Sequence, residues 1–360
     1  MAPVIKKLGE SLSFNPITCS TGQHRDLLDQ VASFFGIQHD FSLNVMKSNQ
    51  DLFDITERLL GEMREVLKES KPDLVLVQGD TTTAFVSALS AFYSKIPVGH
   101  IEAGLRTWDP YSPFPEEMNR ALISKIASFH FAPTSKAADN LRKEGISEQL
   151  IYQVGNTGVD AILEVAKRGK ATPFIAQLFP PEKKLILLTA HRRENFGEPL
   201  RNIFKAVKKL CKQHPDVQVI YPVHPNPNVK AVANEMLADC AGVTMLEPLE
   251  FGDLVWLLEK VQFVVTDSGG LQEEAPTFGK PVLVLRESTE RPEAVEAGAA
   301  RLVGTDSEKI SAEMSKLVDP LSLQYQSMAR VRNPFGDGTA ARKIISILEQ
   351  HFNQSVAEAA

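Results

Sequence analysis

The feature that most constrains the fold of this chain is a repeated alternation of short apolar runs with amphipathic stretches of helical period. The runs ITCST (17–21), LVLVQ (74–78), PVGHIE (97–102), FHFAP (129–133), LILLTA (185–190), VQVIYPV (217–223), VTMLEP (243–248), FVVTD (263–267) and PVLVLR (281–286) are rich in Val, Ile and Leu and show little polar alternation. That pattern suits strands buried on both faces. Helical period marks the stretches between them, among them 51–70, 81–93, 115–127, 135–145, 198–213 and 228–238. Strand and helix in turn imply an α/β fold with parallel sheets flanked by helices. Prolines and lysines interrupt the pattern in KRGKATPFIAQLFPPEKK (167–184), and the domain boundary is expected just before it. The expectation is therefore two doubly wound, Rossmann-like domains, 1–160 and 161–336, facing a central cleft. The final helix, 337–352, is expected to pack back on the first domain. Ligands of such sheets bind at the carboxyl ends of the strands.

The chain opens on an amphipathic helix with Pro3 in its first turn, whereas the first helix of a doubly wound domain normally follows the central strand. The first strand of domain 1 is thus expected to be missing.

Among 360 residues the formal net charge is −6, which argues against nucleic acid or an anionic membrane as the main partner. Local arginines and helix N-termini can still hold a small phosphorylated ligand. Cys19, Cys211 and Cys240 are scattered with no CxxC pair, so neither a disulfide framework nor a cysteine zinc site is indicated. No HxH or HExxH spacing supports a catalytic metal, and no P-loop or GxGxxG points to ATP or a dinucleotide. No bound metal or cofactor is expected. With no signal-peptide core and no long apolar run, a cytoplasmic protein is expected.

Polar groups gather at the ends of the apolar runs. Asp80 follows LVLVQG, Glu102 closes PVGHI, His191 follows LILLTA, and Ser268, Gly269 and Gly270 follow FVVTD. Each has a plain structural reading: Asp80 before TTTA suits a helix N-cap, and an isolated histidine is commonly structural. Glu102 is harder to dismiss, because burying an acid without a partner is costly. Strand, Ser-Gly-Gly, helix puts backbone N–H groups where an anion can reach them, with Glu274 one to two turns on and Arg286 and Arg291 in RESTERPEA. HRRENFG (191–197) and YPVHPNPNVK (221–230) add His191, two arginines and His224. The loop HIEAGLRTWDPYSPFPEEMNR (100–120) packs four acids beside three prolines and three aromatics, as a surface loop or as the wall of a site where carboxylates move protons.

Taken in order, GDTTTA, HIEAGLRT, PEEMNR, HRREN, PVHPNP, DSGGLQEEAP, FGKPVLVLR and TERPEA resemble the non-hydrolysing UDP-N-acetylglucosamine 2-epimerases over nearly the whole chain. The resemblance implies the two-domain architecture of nucleotide-sugar glycosyltransferases (GT-B). It also implies interconversion of UDP-GlcNAc and UDP-ManNAc for bacterial surface polysaccharides. In that family UDP is eliminated across C1–C2 and re-added after the C2 proton has changed face. Carried over, Asp80, Glu102 and Glu116 are the catalytic carboxylates with His191 beside them; Arg120, Ser268, Gly269, Gly270, Glu274 and Arg291 bind the UDP-sugar. Gln23 and His24, with His224, fall where the resemblance puts a second UDP-GlcNAc as allosteric activator; Asp26 replaces a glutamine found in strongly activated members. A homodimer is implied. Relatives carry a strand and a Gly-Thr-Arg-Pro-Glu loop upstream of the segment matching Met1. The alternatives are a 2-epimerase of a UDP-diacetamido-uronic acid, a UDP-sugar glycosyltransferase of the same fold, and a UDP-sugar-binding protein without activity.

Overall fold

Branched aliphatic side chains crowd best on a pleated surface covered from both sides, and the apolar runs do form parallel strands. The computed structural model describes residues 1–22, 31–43, 45, 50–169, 172, 175 and 182–359, the last five by backbone alone. It divides into two compact units, residues 1–161 with 336–360, and residues 162–335.

In the first unit, Cys19–Ser20 (β1) pairs in parallel with Phe41–Ser42 (β2). A separate four-stranded parallel sheet runs in the order Val75–Gln78 (β3), Val98–Ile101 (β4), Phe129–Ala132 (β5) and Ile151–Gln153 (β6). Its helices are Ala2–Glu10 (α1), Leu52–Ser70 (α2), Thr82–Tyr93 (α3), Glu116–Ile126 (α4) and Ser135–Lys143 (α5), while Thr157–Arg168 (α6) begins in this unit and ends in the second. Val77 and Val98 pack with Ala84, Ala88 and Ile123 of α3 and α4. Ile101, Phe129 and Phe131 pack instead with Val4 and with Ala341, Ile344, Ile345 and Leu348 of the C-terminal helix Ala340–Ala359. The Asp160 carboxylate caps that helix, accepting from the N–H groups of Ala340 (3.2 Å) and Ala341 (2.9 Å). The expected N-cap of α3 shifts by one residue. Its cap is Thr81, whose hydroxyl accepts from the Ala84 N–H at 3.2 Å, and Asp80 lies outside the helix. The Asp80 carboxylate is thereby left for another partner.

The second unit carries a six-stranded parallel sheet in the order β12-β11-β10-β7-β8-β9. These are Lys184–Thr189 (β7), Val217–Pro222 (β8), Val243–Leu246 (β9), Phe263–Thr266 (β10), Val282–Val284 (β11) and Ala300–Leu302 (β12). Connecting them are Glu198–Gln213 (α7), Pro227–Leu237 (α8), Phe251–Lys260 (α9), Gly269–Glu274 (α10), Pro292–Glu296 (α11), Ser307–Leu317 (α12) and Leu323–Ala329 (α13). The chain leaves β7 toward β8 and β9 on one side and returns to β10 on the other. Strand order therefore reverses between β7 and β10, where a doubly wound sheet opens a crevice at its carboxyl edge.

One glycine sets the exit path of β4. Gly104 has φ +88°, and a Cβ there would lie 2.1 Å from the Ala137 carbonyl oxygen of α5. Its own carbonyl accepts from Asn140 Nδ2 at 3.0 Å. The loop after Glu102 thus rests directly on α5 backbone. Gly104→Ala is expected to cost on the order of 3 kcal/mol, from the forced contact and the left-handed backbone together. Thermal unfolding followed by circular dichroism checks this, and an unchanged melt would mean that the close approach is not needed.

Candidate active site

At the carboxyl edge of the first unit's sheet, β3 and β4 deliver two acids side by side. Gly79, at φ +72°, turns the chain out of β3. Its N–H donates to the Ile101 carbonyl (3.0 Å), and its carbonyl accepts from His100 Nε2 (2.8 Å). His100 is fully buried, and burial pushes its pKa down to about 3, so the ring is neutral and its Nε2 carries the proton. Asp80 follows. Its Oδ2 accepts from Arg120 Nε at 2.8 Å and lies 2.7 Å from Arg120 Nη2, and its carbonyl accepts from Asn119 Nδ2 at 2.9 Å. Arg120 Nη1 donates to Glu117 Oε2 at 3.0 Å. Glu117 is 4% exposed and also accepts from the backbone N–H groups of Thr107 and Trp108, each at 3.0 Å. That carboxylate ties the loop after β4 to the first turn of α4.

Glu102 sits at the end of β4 with φ +66°, a region that costs a side-chain-bearing residue about 1–3 kcal/mol. Gln78 Nε2 donates to its Oε2 at 3.4 Å. Glu116 opens α4, where the helix N-terminus favours an anion. Its Oε2 is buried and finds no hydrogen-bond partner among the described residues. A buried carboxylate oxygen left over in this way has a hydrogen-bonding capacity that the described residues do not fill. Trp108, Tyr111 and Phe114 stand exposed on the same loop, with the Tyr111 and Phe114 rings stacked 6.3 Å apart. The loop at 100–120 is therefore no simple solvated turn.

In the second unit the groups gather where strand order reverses. Thr189 and Thr266, which end β7 and β10, share a hydrogen bond of 2.6 Å between their hydroxyls. Immediately beyond them, the fully buried Asp267 accepts through Oδ2 from the N–H of His191 (2.8 Å), the N–H of Arg192 (2.9 Å) and Asn195 Nδ2 (3.0 Å). Its Oδ1 lies 3.2 Å from His191 Nδ1, inside ion-pair distance but without an aligned hydrogen bond. The His191 ring stacks on His224, with centroids 5.3 Å apart and planes 12° from parallel. Burial lowers the His191 pKa first; Asp267 opposes it, and His224 and Arg192 reinforce it.

Ser268 spends its N–H on Thr266 Oγ1 (2.8 Å), while its side chain caps none of the first amides of α10. Those amides belong to the glycines. A Cβ on Gly269 would meet the Arg291 guanidinium at 3.4 Å, and one on Gly270 would meet Glu274 Oε1 at 3.6 Å, so both glycines keep the approach narrow and clear. Arg291 is held by Glu273 (2.7 Å) and Glu290 (3.2 Å). Arg286 pairs with Glu194 (2.6 Å) and, through Nη2, with Glu290 Oε1 at 3.5 Å, leaving a buried Nη1 without a partner among the described residues. Burial alone raises Glu274 to about 7.

Each of the two constellations thus collects sequence-derived candidates: Asp80, Glu102, Glu116 and Arg120 in the first unit, and His191, His224, Ser268, Gly269, Gly270, Glu274 and Arg291 in the second. Arg120 is engaged by two carboxylates, and His224 lies ring to ring with His191. Gln23, His24 and Asp26 lie outside the described residues. Sequence reasoning passes over Glu117, Asp267, Asn195 and Glu290. Only Asp267 carries a signal, as the acid between a buried strand and the Ser-Gly-Gly turn.

The family model described as UDP-N-acetylglucosamine 2-epimerase matches residues 6–349. The chain belongs to that family. It is 49% identical to the Bacillus subtilis UDP-N-acetylglucosamine 2-epimerase over 353 residues, covering 98% of this chain and 92% of the relative. The Escherichia coli enzyme of that name is 46% identical over 358 residues, covering 98% of this chain and 95% of the relative. The crystal structure of the Neisseria meningitidis UDP-GlcNAc 2-epimerase bound to UDP-GlcNAc superposes with a TM-score of 0.89 at 44% identity, covering 97% of this chain and 96% of that one. The α/β architecture of two Rossmann-like units is thus that of the GT-B-type 2-epimerases.

The geometry carries two stability predictions for this family member. Glu102→Gly is expected to melt no lower than the parent, because glycine relieves the left-handed backbone. A lower melting temperature would mean that the side chain holds the fold together. The folded pKa of Glu274, about 7, lies above its ordinary value of 4.5, so its carboxyl costs nothing below pH 4.5 and progressively destabilises the fold as pH rises toward and past 7. Glu274→Gln is expected to match the parent at pH 4 and to exceed it by up to about 3 kcal/mol at pH 8. Urea unfolding at the two pH values checks this, and equal differences at both would refute it.

Proposed function

We propose that this chain is a non-hydrolysing 2-epimerase that interconverts UDP-N-acetylglucosamine and UDP-N-acetylmannosamine. The observation that carries the reading is the buried Glu116 oxygen, without a partner among the described residues, at the start of the helix whose Arg120 holds Asp80, in a chain of this family. Elimination of UDP across C1–C2 requires a base for the weakly acidic C2 proton, and return of UDP with inverted C2 requires an acid on the other face. Glu102 and Glu116 take those parts. Asp80 is held in place by Arg120. Arg291 and the amides at Gly269 and Gly270 receive the diphosphate, with Ser268 framing the turn and His191 acting beside them as a proton acceptor. Glu274, with a pKa near neutrality, can both donate to and accept from sugar hydroxyls. The UDP-GlcNAc bound by the Neisseria relative supports this choice of substrate.

The reading extends to a homodimer, supported by exposed Phe92 and Tyr93 on α3 and Met118 and Leu122 on α4. It extends also to UDP-GlcNAc as an activator at the segment containing Gln23 and His24, and to work in the cytoplasm. No helix among the described residues is long and apolar enough to cross a membrane.

Incubation with UDP-GlcNAc in D2O tests the chemistry. An epimerase places deuterium at C2 of both sugars, whereas a transferase releases UDP only with an acceptor and leaves C2 unlabelled. Glu102→Gln and Glu116→Gln keep the shape and remove the titrating group, so each should lower turnover about 10²–10⁴-fold with UDP affinity nearly unchanged. Near-normal turnover in either variant removes that residue from the chemistry.

A further inference from the structure

The two stacked imidazoles of the second unit are not equivalent. His224 Nδ1 accepts from the Asn226 N–H at 3.2 Å, so in the neutral ring its proton is on Nε2. His191 faces the opposite demand. Its Nδ1 lies 3.2 Å from Asp267 Oδ1, an atom that is fully buried and has no hydrogen-bond partner among the described residues. A carboxylate oxygen only accepts, so a neutral His191 lowers the energy of this contact by keeping its proton on Nδ1. Asp267 is itself held from three sides, by the His191 and Arg192 amides and by Asn195. Asn195 is 3% exposed and is tied in turn to the Leu285 carbonyl at 3.3 Å. The carboxylate therefore cannot swing away without breaking the turn after β7. The nearby Tyr221 hydroxyl of β8 is engaged elsewhere, donating its proton to the Ala190 carbonyl (3.2 Å).

We propose that Asp267 is a positioning residue for the epimerase reaction: it holds His191 in the Nδ1–H tautomer, leaving Nε2 as the bare nitrogen for the substrate. One ring of the stack then offers an acceptor and the other, His224, an Nε2–H donor. The same carboxylate fixes the start of the His191 turn. This deepens the proposed function and rests on His191 acting on the UDP-sugar.

The test is Asp267→Asn. The amide oxygen can keep the three bonds now made by Oδ2, while its NH2 group faces His191 Nδ1 and forces the proton to Nε2. In protein labelled with 15N-histidine, with His191→Gln used for assignment, the ring nitrogen shifts of the parent should report Nδ1–H for His191 and Nε2–H for His224. The variant should switch His191 to Nε2–H. Turnover should fall about 10²–10⁴-fold with KM changed less than about threefold, the pattern of a lost proton-transfer partner rather than lost binding. A parent His191 protonated on Nε2, an unswitched Asp267→Asn ring, or full turnover in Asp267→Asn while His191→Gln is inactive would each overturn the proposal. If His191→Gln is itself fully active, the role of His191 in the reaction fails, and the ring spectra alone decide whether Asp267 sets the tautomer. The parent spectrum decides that point even if the variant folds poorly.

Discussion

The guanidinium of Arg120 is the interaction on which the first unit's site depends. Its side chain is 11% exposed and stands between the carboxylates of Asp80 and Glu117. A buried cation with two anions leaves one net negative charge, and the backbone N–H groups of Thr107 and Trp108 help to neutralise it through Glu117. Removing one member of such a cluster leaves an uncompensated buried charge, which costs far more than the cluster contributes when intact. Three chain segments meet there: the turn after β3, the loop after β4 and the first turn of α4. Glu102 and Glu116 inherit their positions from it. The aromatic loop between them is held at one end by Gly104 on α5 and at the other by Glu117.

The two units differ in the chemical type of their candidate groups. At the carboxyl edge of the first sheet the candidate groups are acids, kept in place by one arginine and one neutral histidine. At the carboxyl edge of the second they are backbone amides, arginines and imidazoles beside Glu274, kept in place by Asp267, Glu273 and Glu290. Parallel sheets make this economical, since every strand ends on the same edge and each contributes a residue to one locus. Asp267 and Arg120 are counterparts in this sense, single buried charges that organise groups of the opposite character.

Much of the fold is legible in the sequence because long Val, Ile and Leu runs leave few alternatives to a buried parallel strand. β7, β8 and β10 fall within a residue of the apolar runs that foretell them, and α2, α3 and α7 within a residue of their periodic stretches. The strands that carry no clear signal are short or chemically mixed: Ile151–Gln153 and Ala300–Leu302 have three residues each, one with a glutamine and the other with an arginine, and Phe41–Ser42 has two. In the site, the candidates that stand out are those beyond strand ends, where topology alone assigns a place. Glu117 does not stand out from Glu116, because neighbouring identical residues on a helix start differ only in which way they face. One is spent on Arg120 and the loop amides and the other keeps a bare oxygen, a distinction that belongs to tertiary packing. Asp80 reads as a cap because Asp and Thr are both good caps, and the helix takes Thr81.

The C-terminal helix has a consequence for how the chain is made. Ile344, Ile345 and Leu348 bury the face of the sheet formed by Ile101, Phe129 and Phe131, and Asp160 caps a helix some 180 residues further on. Residues 162–335 form a contiguous unit that can complete its core as soon as they leave the ribosome. The first unit is translated earlier but cannot close until residues 336–348 have been added. Vectorial synthesis, which usually favours the N-terminal domain, is here inverted: the second unit is finished first. The first waits with one face of its sheet uncovered.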